Sequence, residues 1–217
     1  MHNNCWLDET VFRPIARPKQ YRAIMIAQNV DYKRPWLAAR VDGLAYVETE
    51  RFHLSNPAVI GRLSPAARFS SLPTRELVDL INASRTGLIL SDIEGGCFAS
   101  SECLMCGIPV VSTPSVGGRD VYYDEGNSLI VEPNEDAVAA GVERMISRPA
   151  DPTKISSRHA ELSREFRDRF AREVIATIFA ETGSSTAPEK VIEMGRRNKM
   201  ADFIPERLAV DLIRESA

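Results

Sequence analysis

The stretch from Thr86 to Gly118, TGLILSDIEGGCFASSECLMCGIPVVSTPSVGG, leaves few folds open. Thr86–Ser91 is short, apolar and rich in β-formers, the pattern of a strand buried on both faces of a parallel sheet. Glu94-Gly95-Gly96 stops it. Cys97–Cys106 then has helix character and ends at Gly107, with Pro109 two residues on, where the chain turns into a second buried strand, Pro109–Thr113. Gly117 and Gly118 make the next turn. Strand, glycine turn, helix and strand in that order form half of a βαβ unit, so the expectation is an α/β fold with a Rossmann-like parallel sheet and helices on both faces. In such sheets ligands collect where strand ends meet helix starts, because unpaired N–H groups and about half a positive charge converge there.

Two carboxylates sit on this turn and helix. Glu94 precedes the helix and Glu102 lies well inside it, so at about 1.5 Å rise per residue they are on the order of 10 Å apart. That is about the span of a nucleotide sugar. A carboxylate can accept charge-assisted hydrogen bonds from two neighbouring sugar hydroxyls, while the helix start between the two acids suits a diphosphate. Sugar, pyrophosphate and ribose would then lie in line. The plainer alternative has Glu94 capping the helix and Glu102 facing solvent.

Upstream, residues 1–22 read as an irregular segment, broken by Pro14 and Pro18. Ala23–Ala27 is a strand, and a short loop after it carries Lys33, where a point charge can meet a phosphate. From Arg13 to Arg40 seven basic residues face one acid, Asp31, a local positive patch whose plain reading is a solvated surface. A helix is expected over Pro35–Gly43, a strand over Leu44–Glu48 and a possible strand at PAVIGRL within the hard-to-read region Thr49–Leu72. Thr74 is expected to cap a helix over Arg75–Ser84 with Leu77, Leu80 and Ile81 as its apolar stripe. After Gly118 come a loop, a strand at Ser128–Val131 and a helix from Asn134 or Glu135 to Ser147. The sheet domain is thus expected over 23–148, and Pro149 and Pro152 mark its end. A helical tail follows over 149–217: a long amphipathic helix at Ile155–Glu181, with Leu162, Phe166, Phe170, Val174 and Ile178 as its packing row, a linker at 183–188, and one or two short helices from Glu189 to Ala217.

The formal net charge of -3 argues against nucleic acid as a bulk partner. No apolar run approaches the length of a membrane span, and the N-terminus lacks the basic start and apolar segment of a signal peptide, so a cytoplasmic location is the default expectation. The four cysteines, Cys5, Cys97, Cys103 and Cys106, read as reduced thiols, and the C-x2-C at Cys103 and Cys106 reads as two small buried hydrophobes in an apolar helix. His2, His53 and His159 form no ligand cluster, and no paired carboxylates of the DxD kind are present, so neither a metal nor another cofactor is expected.

Glu94 and Glu102 with seven residues between, then GIPVVST and Gly117-Gly118, resemble the donor-binding motif of retaining glycosyltransferases with the two-domain GT-B fold, in the family 4-like group 1. AIMIAQNVDYKRPWLAARV is similar to that family's first strand, lysine loop and following helix, so the likeness runs from Phe12 to Met145. It implies the C-terminal half of a GT-B fold and a nucleotide-diphosphate sugar as donor substrate. By the same likeness Glu94 contacts the donor sugar, Glu102 the ribose, and Lys33 neutralises the leaving diphosphate; Gly95, Gly96, Cys97, Phe98, Ala99, Arg34, Gly117 and Gly118 line the ligand. Charge building on the leaving group would then be met by lysine and a helix terminus, without a metal. Gln28 stands where the family usually has an arginine, which weakens diphosphate binding unless Arg34 or Arg119 compensates.

With 217 residues the chain holds one such domain and a tail, so the acceptor, itself unidentified, is expected to come through an N-terminal domain or a separate subunit. A non-catalytic nucleotide- or partner-binding module is the alternative reading, and a sugar-nucleotide epimerase on the same architecture is a third, because fold alone does not fix chemistry.

Overall fold

The computed structural model describes residues 3–49, 56–183, 189, 190 and 192. The chain divides into two compact units, one of Glu9–His159 and one of Met1–Asp8 with Ala160–Ala217.

The larger unit is built on six strands, β1 Tyr21–Ala27, β2 Leu44–Glu48, β3 Ala67–Ser70, β4 Ser84–Ile89, β5 Val110–Ser112 and β6 Ser128–Ile130. They lie in the order β3-β2-β1-β4-β5-β6 and every pairing is parallel. From β1 the chain winds outward to β3, then returns to the other side of β1 to continue with β4. The crevice between the carboxyl ends of β1 and β4 is therefore the topological switch point, where a Rossmann-like sheet binds its ligands.

Strand alternation assigns the two faces. Leu88, Leu90, Val111, Met25 and Tyr46 join Val138, Val142 and Met145 of α3 (Glu135–Ser147) in one core cluster. Each of these fully buried side chains contributes roughly 1.5–3 kcal/mol relative to exposure. On the opposite face, a Cβ added at Gly87 would meet Cys103 Sγ at 2.6 Å and Val110 Cγ1 at 3.3 Å, so α2 (Phe98–Met105) lies directly on β4 there. Cys97, Cys103 and Cys106 are buried thiols in no disulfide. α2 turns off at Gly107, whose φ of +76° suits a residue without a Cβ; an added Cβ would also sit 2.4 Å from the Pro152 carbonyl oxygen.

Several local expectations are revised. PAVIGRL is no strand: Pro57–Ile60 is a 3-10 turn, because the Asn56 side chain accepts from the Ala58 N–H and Pro57 opens the turn. The strand in this region is β3 instead, a short edge strand with alternating half-buried and exposed residues. The helix expected over Pro35–Gly43 is a 3-10 turn, Pro35–Ala38. α1 covers Thr74–Asn82 and no side chain caps it. Within 9–20 no helix or strand forms; the segment is tied down where Asn82 accepts from the Ile15 N–H at 2.8 Å and donates to the Arg13 carbonyl at 3.1 Å. The basic patch is largely neutralised. Arg17 pairs with Asp79, Arg22 with Glu143 and Arg40 with Asp136, while Lys19 Nζ donates to the Asn82 and Ser84 carbonyls at 2.8 and 2.7 Å.

α4 (Pro152–Phe170) begins in the larger unit and is followed by a π turn, Ala171–Ile175, and by α5 (Ala176–Thr182). The expected packing row is displaced by one residue: Val174 and Ile178 are 39% and 48% exposed, whereas Ile155, His159, Ser163, Arg167 and Ile175 are buried. Three of those five are polar, which conceals the row from a hydrophobic pattern. Within the smaller unit the burial of Arg167 is compensated, since its Nη1 donates to the Cys5 carbonyl at 2.5 Å. There Trp6 meets Phe170 edge to face, ring centroids 5.7 Å apart. The short helices expected beyond Glu189 and most of the 183–188 linker lie outside the described residues.

Candidate functional site

Three connections converge on the switch point. After β1 the chain makes a 3-10 turn at Asp31–Lys33, and Arg34, at φ 49° and ψ 47°, reverses it into the next turn at Pro35. After β4 comes Ser91–Gly96, and after β5 comes Thr113–Gly118. Backbone bonds lock the three together: Asp92 N–H to the Tyr32 carbonyl at 3.0 Å, Val116 N–H to the Asp92 carbonyl at 2.8 Å, and Glu94 N–H to the Val116 carbonyl at 2.8 Å. Ile93 and Val116 form a parallel bridge. Gly117 is required by this closeness. Its φ is +122°, and a Cβ there would lie 2.8 Å from the carbonyl carbon and oxygen of Glu94.

The lock brings Lys33 and Glu94 into contact. Lys33 Nζ pairs with Glu94 Oε1, and the two side chains are only 16% and 13% exposed. Ser91 Oγ donates to the other carboxylate oxygen, Oε2, at 2.5 Å. Both residues, with Ser91 and Cys97, line a narrow hollow between the ends of β1 and β4. Lys33 Nζ also stands 5.4 Å over the Tyr32 ring. Glu94 thus serves as a carboxylate held on two sides at the mouth of α2, whose first N–H groups have no partner within the helix.

Around the hollow, Gly95, Gly117 and Gly118 are exposed, Gly96, Phe98 and Ala99 are half-buried, and Cys97 is buried. Burial pushes the Cys97 thiol up to about 12, with the neighbouring Glu94 charge adding to the effect, so it is a neutral, inert wall. Glu102 departs from the solvent-facing alternative: it is 5% exposed, on the helix interior, and it does not line the hollow shared by Lys33 and Glu94. Among the described residues no group of three or more His, Cys, Asp or Glu side chains could hold a metal ion, and no helix is long and apolar enough to cross a membrane.

Arg34 and Arg119, the two arginines that could compensate for Gln28, are committed elsewhere. Arg34 lies across the strand ends, its Nε donating to the Leu90 carbonyl at 2.7 Å and its Nη2 to Thr113 Oγ1 at 2.8 Å. Burial pushes its guanidinium below the ordinary value, opposed by Asp92 and reinforced by Arg119. Arg119 is 1% exposed. Its five N–H groups meet five acceptors: Ser91 O and Ser91 Oγ, both at 2.8 Å, Ser112 Oγ at 2.8 Å, Thr113 O at 2.5 Å and Asp120 Oδ1 at 3.0 Å. Sealed in this way, it offers no charge to a diphosphate in place of the residue that Gln28 replaces. The sequence carries only a faint signal for this network, three hydroxyl residues, Ser91, Ser112 and Thr113, at the ends of adjacent strands with an arginine after the double glycine.

Comparison with known proteins matches residues 68–162 to the family described as glycosyl transferases group 1. The fold matches sucrose-phosphate synthase from Thermosynechococcus elongatus at a TM-score of 0.59 and 15% identity, over 82% of this chain and 51% of that one. HepE of Anabaena in complex with UDP gives 0.53 and 16%, over 83% and 56%. The C-terminal domain of a glycosyl transferase group 1 family protein from Francisella tularensis gives 0.51 and 17%, over 72% and 95%. The chain spans about half the length of the first two. A search of the curated proteins finds no match. Sequence and fold therefore point the same way: residues 68–162 match the model of the glycosyl transferases group 1, and the fold is similar to that of the C-terminal domain of GT-B glycosyltransferases.

Proposed function

We propose that this chain is the donor-binding half of a glycosyltransferase: it holds a nucleotide-diphosphate sugar at the β1–β4 crevice for metal-independent, retaining transfer to an acceptor supplied by another domain or subunit. The observation that carries this reading is the meeting of Lys33 and Glu94 at the start of α2, an ammonium for the diphosphate beside a carboxylate for the sugar hydroxyls. In the transfer, negative charge builds on the leaving diphosphate. Lys33, which lines the hollow, and the positive end of the α2 dipole would meet that charge. The UDP complex of HepE, on a similar fold, supports UDP as the first probe. Gly117 and Gly118 would border the sugar, and Glu102, from inside α2, would reach the ribose only after its side chain turns outward.

Isothermal titration of the chain with UDP tests the reading. Binding in the micromolar range is expected, with a loss of about tenfold or more in Lys33→Ala, equivalent to the removal of one charge-assisted contact. Absence of binding by UDP, GDP and ADP alike, from a folded chain, would sink it.

A further inference from the structure

The strongest unassigned feature is the chain of hydrogen bonds that leads from a buried cation to the candidate carboxylate. Arg119 Nη1 donates to Ser91 Oγ, and Ser91 Oγ contacts Glu94 Oε2. Chemistry fixes the direction of both bonds. A guanidinium can only donate and an ionised carboxylate can only accept, so the single serine proton is forced toward Glu94. The same guanidinium nitrogen holds the Ser91 carbonyl, and Nη2 holds Ser112 Oγ and the Thr113 carbonyl, so the ends of β4 and β5 are fastened to one side chain. Glu94 is consequently gripped twice, by Lys33 on one oxygen and by this relay on the other.

We propose that Arg119 is a positioning residue that, through Ser91, sets the direction of the Glu94 carboxylate and so the recognition of the sugar part of the donor. Lys33 is the residue that a diphosphate would draw away from Glu94, and the serine relay is what keeps the carboxylate aimed when that happens. Arg119 touches no ligand itself. With all five N–H groups matched, it cannot turn outward without abandoning buried acceptors, which makes it a fixed anchor rather than a second phosphate contact. The proposal rests on the donor-binding reading only in naming the sugar as what Glu94 recognises; the orientation of Glu94 is independent of it.

Two variants separate the relay from the fold. Ser91→Ala removes the hydroxyl and leaves Arg119 its other acceptors, and Ser91→Thr restores the hydroxyl. Calorimetry of the full chain with UDP and with UDP-glucose is expected to show UDP affinity within about twofold of the parent in Ser91→Ala, and UDP-glucose affinity lowered by about tenfold. Ser91→Thr should recover the difference. Equal losses for both ligands, or no loss for UDP-glucose, would overturn the proposal. Crystal structures of Lys33→Ala alone and combined with Ser91→Ala or Arg119→Lys, in which no ammonium holds Glu94, decide the positioning claim even if neither nucleotide binds the parent: a Glu94 carboxylate that swings away in both double variants but not in Lys33→Ala supports it, and one that stays in place in both overturns it. Failure of the parent to bind either nucleotide, with Glu94 still swinging in the variants, would count against the donor-binding reading alone.

Discussion

Gly117 carries more of the site than its size suggests. It combines a φ of +122° with backbone of Glu94 at 2.8 Å from where a Cβ would stand. A left-handed residue alone costs roughly 1–2 kcal/mol, and here a backbone clash is added that no rotamer relieves. Gly117→Ala should therefore lower stability by about 2 kcal/mol or more in urea unfolding, and it should push the 92–94 segment off the 116–117 segment and displace Glu94. A variant as stable as the parent would contradict the close approach. The placement of Lys33 and Glu94 at the strand ends could be read from the sequence because it depends on local context: a lysine in the loop after a strand, and an acid before a glycine turn. Arg119 could not, because nothing in its neighbours' identities announces that hydroxyls distant in sequence close around it. Its five acceptors come from residues 91, 112, 113 and 120, brought together only by the pairing of β4 with β5.

At the scale of elements, β4, α2 and β5 were readable because apolar runs and glycine punctuation coincide in them. β3 was not: Ala67–Ser70 is an edge strand with only half of its residues partly buried, so its hydrophobic signal is weak. The error at Pro57–Ile60 has the opposite origin, an apolar run whose conformation is decided by Asn56 and Pro57 rather than by periodicity. In α4 the buried row was missed because His159, Ser163 and Arg167 occupy it. The end of α2 offers a test. Gly107 lies so close to the first residue of α4 that an added Cβ would sit 2.4 Å from the Pro152 carbonyl oxygen and 2.8 Å from its carbon. Gly107→Ala is expected to cost about 2 kcal/mol or more, read as a fall of several degrees in Tm. An unchanged Tm would mean that α2 and α4 do not abut in this way.

For the molecule as a whole, buried thiols predict sensitivity to alkali. Burial holds Cys97 up to about 12 and Cys103 well above the ordinary 9.0. Above about pH 9 the unfolded chain releases these protons while the folded chain keeps them, so stability present below that pH is lost as pH rises, by on the order of 1 kcal/mol per pH unit for each thiol. Urea midpoints at pH 8 and pH 10 should differ accordingly, and Cys97→Ala should reduce the slope; a midpoint independent of pH would refute the assignment. Because Lys33 and Glu94 pair with each other, a guest bound as proposed would enter by exchange rather than by simple addition. A bare diphosphate would draw off the ammonium and leave the acid with one serine donor, whereas a guest carrying hydroxyls beside its phosphates re-mates both halves at once. On the proposed reading the molecule rests as a closed circuit, which a two-ended guest would reconnect.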